Sequence, residues 1–370
     1  MKMDKEKLKK INEETQLIHK EYVVQIADRV IGRVVDFINQ TMYKEIGKTM
    51  SFSWADRPYF RAYAHCETPE RHHVVISYGL AIELYRDAFV LSKLAHVHFC
   101  EPKYAGIFGK LSADREGVLP PGANEHQCKM LMFETTLEWV FFHELAHLAQ
   151  GHLEIREQRA PTGSVGRVEE MLADGSEPLQ GVAALISHVT EIAADVEGFT
   201  TYIQYRYLAT RGKIPYAVVY MMVCGLTCLF NRFFGQSGDH FDPVPRGSHP
   251  NPAARWELLF QTIYGYFLDA RVRGRIPDWE YSQEELIAQL TEASTLANMY
   301  WRIRYLEERG DLPSFMRVAK VDSPEVRSYL REIVATLDEV TPDIKRLYIF
   351  PIRPSLPVFT SAWRERLREA

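Results

Sequence analysis

Residues 137–152 read LEWVFFHELAHLAQGH, and the pentapeptide within them, His143-Glu144-Leu145-Ala146-His147, decides how the rest of the chain is read. Two histidines four residues apart on a helix project from one face, where both imidazoles reach a single tetrahedral metal ion. A glutamate beside the first histidine then stands where it can take a proton from a water next to that ion. The surrounding residues, from about 129 to 150, are apolar nearly all round, so this helix is expected to cross the interior. Gly151 is placed to end it as a C-terminal cap.

A zinc site with two histidines needs a third protein ligand and an open position. His152 follows His147 by five residues and lies beyond the expected helix stop. A metzincin would carry Gly and His three and six residues after the second histidine, and those places hold Gln150 and Leu153. Glu191, in the run HVTEIAADVEGF, is the leading candidate, and His188 one turn earlier stays open beside it. Asp195 shares the face of Glu191 by its four-residue spacing. It is expected to accept from the far ring nitrogen of a ligand imidazole. The neighbours Ile192, Ala193, Ala194 and Val196 are apolar or small, company in which acidic residues usually have partners.

Working outward, residues 4 to about 45 carry apolar positions at three- and four-residue steps and are read as helical. From Met50 the runs SFSWADRPYFRAYAHC and RHHVVISYGL are β-branched and aromatic, broken by turn formers, and predict a small sheet. The HHVVISYG run is read as a strand near the site, either an edge on which an extended peptide docks or an ordinary core strand. His72 and His73 are expected on the surface, and His96 and His98 at a helix end or loop. Helical periodicity resumes with LAIELYRDAFVLSKLAHVHF, and GVLPPGA at 117–123 predicts a loop.

Residues 155–180 are polar and punctuated by Pro and Gly, and are expected to form a surface insertion. A helix over about 185–209 and an apolar helix to 234 follow. Residues 235–252, with Pro243, Pro245, Pro250 and Pro252, predict irregular backbone. Helices are expected to dominate to about 337, with PIRPSLP an extended tail. The run 217–230, AVVYMMVCGLTCLF, spans about half of what a bilayer needs and reads as a buried core helix.

Hydrophobic residues at 46% and charged residues at 25% describe a soluble globular protein with ample core. A net charge of −5 argues against nucleic acid as partner, which needs a concentrated basic surface. The five cysteines are scattered without a CxxC pair, Cys224 and Cys228 reading as core, and the N-terminus lacks the apolar stretch of a secretory signal. A cytoplasmic location without stable membrane insertion is the expectation.

HELAH followed by EIAAD resembles the gluzincin pattern of thermolysin-like zinc peptidases, HExxH with a downstream ExxxD. HELAHLAQGH is also similar to the helix of Lit-type and ImmA/IrrE-type intracellular peptidases. SHPNPAARWELL resembles the His-Pro segment and following helix of HtpX-like gluzincins and their small soluble relatives. The resemblance covers residues 143–255, about a third of the chain. It implies His143, His147 and Glu191 as zinc ligands and Glu144 as general base. It further implies Asp195 as the acceptor behind a ligand and His249 as a stabiliser of the tetrahedral oxyanion. The gap between His147 and Glu191 exceeds that of thermolysin, so an insertion is expected there, and the membrane helices of the HtpX-like relatives have no counterpart.

The expected fold is thus α+β and predominantly helical: a zincin-like core with a small sheet, the HExxH helix and a second ligand helix, plus helical N- and C-terminal regions. The divisions expected are 1–50, a catalytic core over 51–256, and a helical region over 257–370. The expected activity is zinc-dependent hydrolysis of peptide bonds in a protein substrate, with His249 and Arg255 the candidates for sharing charge on the carbonyl oxygen and His240 behind them. Arg255 has an alternative in pairing with Glu257 or another acidic neighbour. The alternative function is a non-catalytic sensor or interaction protein on the same scaffold, in which Glu144 would have no task.

Overall fold

The computed structural model describes residues 5–99, 101, 104, 108, 118–120, 122–160, 168–169, 179–212, 214–237, 244–269, 282–306 and 323–368. Three- and four-residue apolar spacing gives the N-terminal helices α1 (Lys5–Gln16), α2 (Lys20–Gln40) and the short α3 (Met42–Glu45). The apolar face of α2, from Val23 to Ile38, is buried. Three strands follow, β1 (Thr49–Ala55), β2 (Ala62–Thr68) and β3 (Arg71–Ser77). β3 runs parallel to β1 and antiparallel to β2, so the HHVVIS strand is central and has no edge to offer a peptide. The core-strand reading is the one the topology supports. The two-residue β4 (Val168–Glu169) pairs with the outer side of β2.

His72, expected on the surface, is buried and faces the Tyr43 hydroxyl at 2.7 Å. Burial pushes its imidazole down to about 4. The alternation of β3 turns it inward, whereas His73 sits half-buried between the hydroxyls of Ser51 and Ser53. Ser77 ends the strand and caps α4 (Tyr78–Val97) through the Leu80 amide.

The HExxH helix is α5 (Glu125–Ala149), opened by a reciprocal cap between Asn124 and Gln127. It ends where Gly151 adopts φ +65°, a left-handed conformation that glycine takes at little cost. The chain does not become irregular there, because α6 (His152–Arg159) starts at once. The expected insertion is therefore helical to Arg159, and most of what remains of it, like His240, lies outside the described residues.

The second long helix, α7 (Gly181–Ala209), packs along α5, and α8 (Tyr216–Ser237) crosses both its neighbours α5 and α10 (Gln283–Trp301). Between them stands α9 (Pro252–Leu268), capped by the Asn251 side chain. The C-terminal helix α11 (Pro324–Leu347) runs ten residues past the expected end near 337, because Val340 and Ile344 continue its buried stripe. After an extended stretch that includes PIRPSLP comes α12 (Ser361–Arg368), which sequence reading did not anticipate. The protein is thus mostly helical with a small mixed sheet.

One apolar cluster runs from Ile11 on α1 to Phe350 beyond α11, with the middle of α5 and most of α8 inside it. A second is built from Ile186, Val189, Ile192 and Ala193 of α7 against α11. The window Tyr216–Phe233 of α8 is long and apolar enough to cross a membrane, and 78% of it is buried within the protein. Cys224 and Cys228 belong to this buried helix, as their setting predicted. Cys66, Cys128, Cys224 and Cys228 are free thiols.

α7 approaches α5 closely at one residue. A Cβ on Gly198 would sit 2.9 Å from the backbone N and Cα of His143. Backbone cannot yield as a flexible side chain can, so alanine there forces the two helices apart. Gly198→Ala is expected to destabilise by about 1–3 kcal/mol in urea unfolding. Gly32→Ala, on the exposed face of α2 with nothing within 4 Å of the added methyl, is expected to stabilise by roughly 0.5–1 kcal/mol.

Candidate metal centre

Where α5 and α7 meet, His143, His147 and Glu191 turn their ligand atoms toward one point. All three are buried at 1% exposure or less. The two Nε2 atoms stand 3.1 Å apart. Glu191 Oε2 lies 3.5 Å from His143 Nε2, and Glu191 Oε1 lies 3.4 Å from His147 Nε2. An ion held tetrahedrally at 2.0–2.1 Å separates its ligand atoms by about 3.3 Å. The three distances lie close to that figure, the two to Glu191 being made by different carboxylate oxygens.

The protonation states agree with the geometry. Asp195 Oδ1 lies 3.0 Å from His143 Nδ1, and because a carboxylate only accepts, this contact favours the tautomer with its proton on Nδ1 and the Nε2 lone pair inward. Burial pushes His147 down to about 4, leaving it in the neutral form a metal requires. For Glu191 burial works the other way, but the Arg156 guanidinium donating to Oε1 at 2.8 Å favours its ionised form. Three electron-pair donors thus converge in a water-poor interior, an arrangement a cation relieves.

Asp195 is itself gripped by Arg255, whose Nε and Nη2 donate to its two oxygens at 2.9 and 2.7 Å. Arg255 is buried, and its acidic partner is Asp195 rather than Glu257. Its Nη2 also lies 3.5 Å from Glu191 Oε2. The guanidinium is therefore occupied in holding the acid behind His143.

His188 is not brought to the same point. Its Nε2 donates to the Arg246 carbonyl at 3.3 Å, and its Nδ1 accepts from the Tyr329 hydroxyl at 2.9 Å. This ties α7 to α11 and to the segment around Arg246, and Ser187 does the same through the Ser248 carbonyl. These bonds bring His249 beside the centre, with Nε2 4.0 Å from Glu191 Oε1 and Nδ1 2.8 Å from the Ser248 hydroxyl. Glu144, next to His143 on α5, is fully buried.

Two further residues stand near the centre: His152, weighed above as a ligand and set aside, and Arg156, which went unread in the sequence. Arg156 donates to Glu191 Oε1 at 2.8 Å, and His152 Nδ1 stands 2.8 Å from His147 Nδ1. Their four-residue spacing was the available signal, but Arg156 falls in the stretch taken for a polar insertion and His152 just before it.

No family model, curated protein or solved structure matches the chain. The chemistry of the centre is read from its own geometry.

The buried histidines make folding sensitive to acid. His147 and His188 titrate near 4 in the folded protein, burial being the main cause in both. Unfolded, each takes up a proton near 6.5. Between those values the unfolded state binds more protons, so stability falls as the pH is lowered through this window. The metal-free protein is expected to lose roughly 1 kcal/mol per pH unit per histidine between about pH 6 and 4.5. Urea midpoints across that range check it, and His188→Gln should flatten the slope.

Proposed function

We propose that the protein is a zinc-dependent endopeptidase of gluzincin type with a zincin-like core, acting on a protein substrate in the cytoplasm. The observation that carries this reading is the His143–His147–Glu191 cluster, with the two Nε2 atoms 3.1 Å apart and each 3.4–3.5 Å from a carboxylate oxygen of Glu191, in a fully buried setting. Two imidazoles and one carboxylate are the donor set of a catalytic zinc site that keeps one position open. When bound, zinc supplies a Lewis acid that makes an attacking water acidic near neutral pH and polarises a substrate carbonyl.

The chain's own residues supply the rest. Glu144 accepts the proton of the attacking water and delivers it to the leaving amine as the peptide bond breaks. Its place one residue after His143, on the same rigid helix, supports that role. His249 shares the negative charge that develops on the carbonyl oxygen, a role supported by its position beside Glu191. Asp195 and Arg255 fix the imidazole of His143, so the donor keeps its direction while the substrate changes shape. Retention of a base at Glu144 favours catalysis over a sensor that merely keeps the scaffold, since a structural zinc site closes its fourth position.

Purified protein incubated with casein and with cell lysate, beside Glu144→Gln, tests the reading. Wild type is expected to release new N-termini, and Glu144→Gln to lose at least about 100-fold in rate while retaining its metal. Equal patterns of N-termini from the two proteins, with zinc bound in both, would contradict it.

A further inference from the structure

Only Gln150 and the left-handed Gly151 separate the HExxH helix from α6. α6 begins at His152, and His152 and Arg156 are four residues apart, on one face of it. His152 is fully buried, and Ile155 between them is fully buried in the second apolar cluster, which anchors that face. His152 meets His147 at 2.8 Å, Nδ1 to Nδ1. Arg156 reaches α7 with two of its nitrogens: Nε donates to Thr190 Oγ1 at 2.9 Å and Nη2 to Glu191 Oε1 at 2.8 Å, with the Ser187 carbonyl 3.5 Å from Nη2.

We propose that α6 is a positioning platform for the metal centre, in which His152 fixes the imidazole of His147 and Arg156 fixes the carboxylate of Glu191. This rests on reading His143, His147 and Glu191 as metal ligands. A ring that binds a metal through Nε2 must carry its proton on Nδ1. His147 therefore donates Nδ1–H to the Nδ1 lone pair of His152, which keeps its own proton on Nε2. The opposite arrangement would put a proton on His147 Nε2 and close it to the metal, so with a metal on Nε2 the His147–His152 bond holds the ring by its Nδ1–H. His152 is thus the acceptor behind a ligand, not the ligand that a metzincin reading would make of it.

Each ligand then has its own support. Asp195, itself held by Arg255, stands behind His143; His152 stands behind His147; and Arg156 holds Glu191. Two of the three supports come from an eight-residue helix that follows the HExxH helix directly. Such partners ordinarily shift metal affinity by about 10- to 100-fold when removed.

Zn2+ affinity of the full chain, measured by competition with a chromophoric chelator, reads this out apart from catalysis. Co2+ absorption of the same proteins reports the ligand field. His152→Leu keeps bulk and removes the acceptor, and is expected to bind Zn2+ roughly 10- to 100-fold more weakly, with an altered Co2+ spectrum. In His152→Asn the amide oxygen stands as many bonds from Cα as the imidazole Nδ1 does, and affinity is expected within about 3-fold of wild type. Arg156→Gln is the independent arm, expected to weaken binding about 10-fold. Circular dichroism establishes that each variant is folded, and if His152→Leu is not, His152→Asn and Arg156→Gln carry the comparison. Unchanged affinity and spectrum in His152→Leu, or His152→Asn as weak as His152→Leu, would overturn the role of His152. Unchanged affinity in Arg156→Gln would overturn that of Arg156. A wild type that binds neither Zn2+ nor Co2+ would instead overturn the metal reading beneath both.

Discussion

Three electron-pair donors aimed at one point inside a protein repel one another unless a cation stands between them. His143, His147 and Glu191 are in that situation, fully buried and 3.1–3.5 Å apart. Much of the surrounding structure serves to keep them there. Gly198 lets α7 approach the backbone of α5 beside His143, which brings Glu191 within reach of both histidines. A side chain at that crossing would push the two helices, and with them Glu191 and the two histidines, apart.

Buried charges around the centre are paired rather than left alone, as their desolvation demands. Asp195 is matched by the two-point grip of Arg255, and Glu191 by Arg156. Farther along the same two helices Arg206 donates to the buried Glu138 at 2.6 Å, joining α7 to α5 again. The ligand helix is therefore pinned to its neighbour on both sides of the crossing. α11 enters through Tyr329, which holds His188, and so the C-terminal helices bear on the segment that carries His249.

Periodicity made much of this legible. The helical stretches, the small sheet after Met50 and the inward-facing α5 all follow from spacing and composition, because burial of a stripe or face is a local pattern. Glu191 and Asp195 stood out because ionisable residues among Ala, Ile and Val need partners. Other features depend on which segments come together, and no local pattern records that. The central place of β3 and the burial of His72 follow from a parallel partner more than twenty residues upstream. Arg255 was open to Glu257, to another acidic neighbour or to an oxyanion, and only the packing of α9 on α7 brings it to Asp195. The place of His152 behind His147, and Arg156 altogether, were hidden for a different reason. Their helix is short and polar outside, so Gly151 reads as an end when it is also a beginning.

Zinc K-edge X-ray absorption on protein purified without added chelator addresses the central claim most directly. The account predicts stoichiometric zinc in a light-atom shell near 2.0–2.1 Å, with the multiple-scattering pattern of two imidazoles that falls to one in His147→Ala. Absence of stoichiometric zinc, or a sulfur shell near 2.3 Å, would contradict it.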